Sequence, residues 1–69
     1  MLKKYYTVDK IIQGRWFSAA LRTNKRDALK EYRELKQWYA GKPGRFIRLV
    51  KTAGEEITVL KAEWAGNQN

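Results

Sequence analysis

The sequence predicts an α+β fold in which a four-stranded antiparallel sheet, in the order β-β-α-β-β, packs one amphipathic helix on one face. Three observations predict it. Apolar residues recur with a helical period through residues 24–40. Segments rich in β-branched and aromatic residues lie on both sides of this stretch, and glycine-containing turns divide each side in two. The 69 residues are expected to form a single domain, 1–69.

The helix is predicted at about residues 25–40, because one side of it is apolar at 100° per residue. Leu29 and Trp38 are expected on the two flanks of this apolar stripe. Asn24 is the predicted N-cap, and Gly41 followed by Pro43 is predicted to end the helix. The stripe itself consists of Ala28, Tyr32, Leu35 and Tyr39.

The polar side of this helix is sorted by charge. One arc carries the cations Lys25, Arg26, Lys30, Arg33 and Lys36, and the next arc carries the acids Asp27, Glu31 and Glu34. Two interpretations remain open. The arcs are either a solvated surface with intrahelical pairs such as Asp27 with Lys30, or the basic arc is a binding surface.

The strands are predicted at about residues 3–13, 15–22, 45–51 and 56–64, with 65–69 as a frayed tail. Gln13-Gly14 is a predicted tight turn that makes the first two strands a hairpin. Simple alternation within the second strand predicts two faces. They are Phe17, Ala19 and Leu21 on one side, and Trp16, Ser18, Ala20 and Arg22 on the other.

The second hairpin is predicted to close through a two-residue turn at Ala53-Gly54. This turn pairs Phe46 with Lys61 across the two strands. A bulge at Gly54 would slip the register by one residue and exchange the faces of one strand.

Composition argues against catalysis. The chain has no His and no Cys, so the commonest general base, the thiol nucleophile and most transition-metal ligands are missing. We therefore expect no enzyme activity, no catalytic residue, no metal site and no cofactor. No apolar run is long enough for a membrane span or the core of a secretion signal, so a cytoplasmic protein without a membrane partner is expected.

Charge and aromatic residues together favour a binding function. Fifteen Lys and Arg against seven Asp and Glu give a net charge of +8, which attracts phosphate polymers and acidic protein patches. One helix covers only one face of a sheet, so rings and cations on the other face are available to stack bases and hold phosphates. Besides the helix cations, the predicted binding residues are Arg15, Trp16, Arg45 and Arg48.

Two other uses of these residues stay open. A small domain needs its aromatic residues for its core, and exposed lysines keep it in solution. An open apolar and basic sheet face also suits protein contact, as a homodimer or on an acidic partner.

The order of elements supplies a resemblance. With GRWFSAALRTNKRDALKEY leading from a hairpin into a capped helix and GRFIRLVKTAGEEITVLK as a second hairpin, the chain resembles short phage and prophage proteins. Small anti-CRISPR proteins and a small archaeal DNA-bending chromosomal protein have a comparable pattern. The resemblance is topological and carries over no functional residue.

The resemblance implies two roles. In the first, the protein is a monomer or homodimer that binds nucleic acid directly, mainly through the phosphate backbone. In the second, it is a phage-encoded inhibitor or adaptor that acts by protein contact on a host nucleoprotein complex.

Overall fold

The computed structural model describes residues 4–42 and 44–65. Four antiparallel strands form one sheet in the order β2-β1-β3-β4, which confirms the predicted α+β fold. Three predictions fall wholly or partly outside the described residues: the start of the first strand at Lys3, the role of Pro43 in ending the helix, and the frayed tail at 65–69. Its first residue, Ala65, is described and is not frayed, because its N–H donates a hydrogen bond to the Arg45 carbonyl at 2.8 Å and it packs against the core. The elements are β1 Lys4–Ile12, β2 Arg15–Arg22, α1 Lys25–Trp38, β3 Phe46–Ala53 and β4 Glu56–Trp64.

Two-residue turns close both hairpins. Gln13 and Gly14 have φ angles of 53° and 79°, the left-handed pair that a type I′ turn requires, and this confirms the predicted turn. The second turn is Gly54-Glu55, because Ala53 at the end of β3 pairs with Glu56 at the start of β4. It therefore begins one residue later than predicted, with a positive φ of 62° at Gly54.

The edge strand β2 contains a bulge at Ala19, where its pairing with β1 shifts by one residue. An extra residue reverses the alternation of the side chains that follow it. Leu21 consequently lies on the same face as Trp16, whereas Ala20 faces the helix. The strict alternation predicted for this strand was wrong from Ala19 onward.

The opposite edge strand, β4, is also bulged. Phe46 pairs with Trp64, since the later turn and an extra residue at Leu60 both move β4 along β3. The predicted pairing of Phe46 with Lys61 was therefore wrong. This new register places Lys61 on the helix side of the sheet and an aromatic residue beside Phe46.

The core lies between α1 and the sheet. Asn24 caps the helix as predicted, because its side-chain oxygen accepts a hydrogen bond from the Arg26 N–H at 2.7 Å. Trp38, predicted on one flank of the stripe, is largely exposed, with the Lys42 ammonium 5.2 Å from its ring centroid. The buried core residues are Tyr6, Val8, Ala28, Tyr32, Tyr39, Ile47 and Leu49.

Removal of the helix cap is expected to lower stability modestly. Asn24→Ala leaves the Arg26 N–H in the first turn of α1 without its side-chain acceptor, which costs about 1 kcal/mol. For a domain of this size the midpoint of thermal unfolding, followed by circular dichroism, should fall by about 4–8 °C. Asn24→Ser keeps a capping oxygen and serves as the control. Equal midpoints for Asn24→Ala and wild type would show that the cap does not stabilise the fold.

Candidate binding surfaces

The sheet has one face that no helix covers, here called the open face. Residues paired directly across antiparallel strands share a face, so the register defines its members. From β1 to β4 they are Tyr5, Thr7, Asp9, Ile11, Trp16, Ser18, Leu21, Phe46, Arg48, Val50, Thr52, Ile57, Val59, Ala62 and Trp64.

A row of aromatic rings crosses the open face. The ring centroids of Trp16 and Phe46 are 6.2 Å apart, and those of Phe46 and Trp64 are 5.1 Å apart. Both pairs meet edge to face, which adds about 0.5–1.5 kcal/mol each beyond burial of area. The two tryptophans are exposed, and they lie on the two outer strands. The row therefore presents aromatic surface over the full width of the sheet.

One ion pair occupies the centre of the open face. The Arg48 Nε donates a hydrogen bond to Asp9 Oδ2 at 3.0 Å, and the Ser18 hydroxyl donates to Asp9 Oδ1 at 3.2 Å. The Arg48 guanidinium carbon also lies 3.9 Å from the centroid of the Trp16 ring, a cation–π contact. The open face thus has a satisfied central pair, and its Arg48 charge is neutralised by Asp9.

Four residues were predicted from the sequence to share one surface: Arg15, Trp16, Arg45 and Arg48. The structure contradicts this placement for two of them. Trp16 and Arg48 are in contact on the open face, but Arg15 lies on the helix side of the sheet by its register in β2. Arg45 also faces the helix, with its guanidinium carbon 5.6 Å from the ring centroid of the buried Tyr39. Arg45 Nε is buried without a hydrogen-bond partner among the described residues. The cation–π contact offsets part of that cost.

Four helix cations form what we call the cationic arc: Lys25, Arg26, Lys30 and Arg33. All four are exposed, and among residues 4–42 and 44–65 no carboxylate lies within 4.0 Å of their charged groups. The intrahelical pair of Asp27 with Lys30, which the solvated-surface interpretation expects, is therefore not formed in the described part of the chain. The acidic flank is partly neutralised from the sheet, because Arg22 of β2 pairs with Glu31 at 3.3 Å.

The fifth predicted helix cation, Lys36, is engaged in an ion pair. Its ammonium lies 2.7 Å from Glu63 Oε1, and the Tyr32 hydroxyl donates to Glu63 Oε2 at 2.7 Å. The backbone of α1 packs on β1, β2 and β3, so side chains link the helix to β4. Besides these two contacts to Glu63, the Lys61 ammonium of β4 lies 5.9 Å from the centroid of the Tyr32 ring. Burial, followed by the hydrogen bond to Glu63, raises the pKa of Tyr32. The hydrogen bonds from Lys36 and then Tyr32 lower the pKa of Glu63.

These two pKa shifts predict how stability depends on pH. The lowered pKa of Glu63 contributes stability above its ordinary value of 4.5, and this is lost as the pH falls through the folded-state pKa. The raised pKa of Tyr32 contributes stability below pH 10.0, which is lost as the pH rises further. Thermal unfolding midpoints measured from acid to alkaline pH should fall at both ends. Glu63→Gln should flatten the acid limb relative to wild type, and an unchanged acid limb would contradict this role of Glu63.

A groove of about 400 Å³ adjoins the cationic arc, between the second half of α1 and the end of β4. Arg33 is the member of the arc that lines it. Lys36 lines it as well, but its charge is paired with Glu63, so the groove borders the cationic arc without adding an unpaired cation to it. The lining residues are Arg33, Lys36, Gln37, Ala40 and Ala65.

Sequence reasoning missed part of the open face. Leu21 and Trp64 are exposed apolar residues there, and their positions depend on the bulges in β2 and β4. No glycine or proline lies near Ala19 or Leu60 to signal a bulge. The positions of Leu21 and Trp64 therefore emerge only from the observed strand pairing.

Fold and surfaces together define a small antiparallel α+β domain with cations on its helix and apolar groups on its open face. No protein-family model, curated protein or solved structure matches the chain. In the described part of the chain, the helix is too short and too polar to cross a membrane. Across the same residues, no three His, Cys, Asp or Glu side chains are grouped so as to hold a metal ion.

Proposed function

We propose that this chain is a non-catalytic basic binding protein that contacts nucleic acid, mainly the phosphate backbone, through the cationic arc of α1. The observation that carries the proposal is the set of four exposed helix cations with no carboxylate within 4.0 Å among the described residues. An unpaired cation loses less on meeting a phosphate than one that must first leave a carboxylate.

The dimensions of the arc suit a phosphate backbone. From Lys25 to Arg33 the helix rises by roughly 12 Å, at about 1.5 Å per residue. Duplex DNA carries about seven phosphates over that axial length, at one charge per about 1.7 Å. The four cations therefore have several phosphates within reach at once, and the net charge of +8 favours the encounter.

The open face is assigned no phosphate contact in this proposal. Its Arg48 is paired with Asp9 at 3.0 Å, and the register directs Arg15 to the helix side of the sheet. One side of the Trp16 ring is covered by the Arg48 guanidinium, which reduces the ring surface available to a base. The proposed site of action is the cytoplasm, of the host if the protein is phage-encoded.

A salt titration tests this proposal. Fluorescence anisotropy with random-sequence duplex DNA and with RNA should detect binding at about 50 mM salt. Three or four phosphate contacts predict a slope of log K against log salt of about −3 to −4 on duplex DNA, at about −0.9 per contact. Affinity should then fall about a hundredfold between 50 and 200 mM salt. The absence of binding at the lower salt concentration would overturn the proposal.

A second candidate function is an inhibitor or adaptor that acts by protein contact on a nucleoprotein complex, as in the anti-CRISPR-like role. The observation that favours it is the exposed apolar surface of the open face, since patches of this kind mark protein contacts. Affinity capture from host lysate, with and without nuclease, separates the two functions. Direct protein contact predicts that captured proteins remain after nuclease treatment, whereas nucleic-acid binding predicts their loss.

A further inference from the structure

The open face exposes several large apolar side chains to solvent. Ile57 is 71 % exposed and Val59 is 50 % exposed, and both lie in the edge strand β4, which pairs with β3. They continue the apolar surface of the exposed tryptophans Trp16 and Trp64 toward the other end of the sheet. Contiguous apolar surface of this kind on a small chain indicates an interface.

The charge distribution identifies which partner this face suits. Among the described strand residues, the open face carries only Asp9 and Arg48, which neutralise each other at 3.0 Å. Every other charged strand residue lies on the helix side by register. Because the whole chain carries +8, two copies that met through the helix side would bring their cations together. Contact through the open face keeps those cations apart.

The area of the face is sufficient for such a contact. Four strands at about 4.8 Å spacing and about nine residues long give a face of roughly 19 by 30 Å, or about 550 Å². Two such faces, treated as flat, would bury about 1,100 Å² in total. This is above the roughly 1,000 Å² that a specific interface needs. This area predicts a dimer at the weaker end of specific interfaces.

We propose that the open face binds the open face of a second copy of this chain, in a two-fold symmetric sheet-on-sheet dimer. In such an interface each copy contributes the same patch, and the two sheets pack about 10 Å apart. The central Asp9–Arg48 pair is already satisfied within its own chain, with Ser18 as a further donor. Closure of the interface therefore buries no charge that lacks a partner.

The dimer has a consequence that rests on the proposed function. With the sheets facing each other, both helices lie on the outside, and the two cationic arcs point in opposite directions. A dimer of this kind holds two nucleic-acid segments at once. The oligomeric state is measured without nucleic acid. Absence of a dimer and absence of nucleic-acid binding are therefore separate results.

The experiment is sedimentation equilibrium of the nucleic-acid-free chain from low to about 300 µM concentration. Wild type should approach twice 8.1 kDa as concentration rises. Ile57→Lys/Val59→Lys should weaken the dimer at least tenfold by placing cations in the interface. Phe17→Lys/Trp38→Lys is the matched control: its sites are 46 % and 70 % exposed but lie outside the open face, and its dimer should be unchanged.

A wild-type mass that stays at 8.1 kDa over the whole concentration range would overturn the dimer. The open face would then be a surface for a different protein or for nucleic acid. Equal weakening by both lysine pairs would overturn the assignment to the open face. If Ile57→Lys/Val59→Lys does not fold, the thermal unfolding midpoint of the wild type, measured at several protein concentrations, tests the dimer instead. It should rise with protein concentration, and a constant midpoint would overturn the proposal.

Discussion

Lys30→Glu/Arg33→Glu is expected to weaken binding to random-sequence duplex DNA by about a hundredfold or more at low salt. Each substitution removes a charge-assisted contact worth about 1.5–3 kcal/mol and replaces it with a repelling carboxylate. The salt slope should also become shallower by about 2, one unit for each lost phosphate contact. Both residues are exposed and without a carboxylate within 4.0 Å in the described structure, so the free energy of unfolding should change little.

A matched control separates the cationic arc from the net charge of the chain. Lys4→Glu/Lys42→Glu makes the same change in net charge at two exposed lysines outside α1. Its affinity loss should be much smaller, because it acts only through the general field. Equal losses for the two variants would mean that binding responds to total charge and that the arc has no special role.

Leu49→Ala is expected to cost about 2–5 kcal/mol, because its fully buried side chain leaves a cavity between β3 and the helix. A domain of 69 residues has a total stability of only about 3–10 kcal/mol, at about 0.05–0.15 kcal/mol per residue. The midpoint of thermal unfolding should therefore fall by about 10 °C or more. Urea unfolding followed by tryptophan fluorescence provides the free energy directly.

Leu21→Ala is the control for this core substitution. It makes the same chemical change at an exposed position on the open face, where the expected cost at a protein concentration too low for association is under about 1 kcal/mol. Similar losses at Leu49 and Leu21 would show that the core is not concentrated between the helix and the sheet.

The elements that could be predicted from the sequence are those encoded by local chemistry. The helix follows from its apolar period, its start from the Asn24 cap, and the first hairpin from the left-handed Gln13-Gly14 pair. These signals depend on residues within a few positions of each other. The order of the five elements was therefore predicted correctly.

The make-up of the open face could be predicted only in part, because it depends on pairing between distant residues. The bulges at Ala19 and Leu60 reverse side-chain alternation without any glycine or proline to announce them. The partner of Arg48 is Asp9, 39 residues earlier, so the loss of a free cation from this face is invisible in the local sequence. As a result, the prediction placed Arg15 and Arg45 on one surface with Trp16 and Arg48, whereas the structure turns Arg15 and Arg45 toward the helix and pairs Arg48 with Asp9.

The most direct measurement is an NMR titration of the chain with a short random-sequence DNA duplex. Backbone amides of the cationic arc, from Lys25 to Arg33, should shift or broaden most, because the phosphates contact these residues. The indole N–H signals of Trp16 and Trp64, on the opposite side of the sheet, should stay nearly constant. Large changes at the two indoles with little change along the helix would contradict nucleic-acid binding through α1.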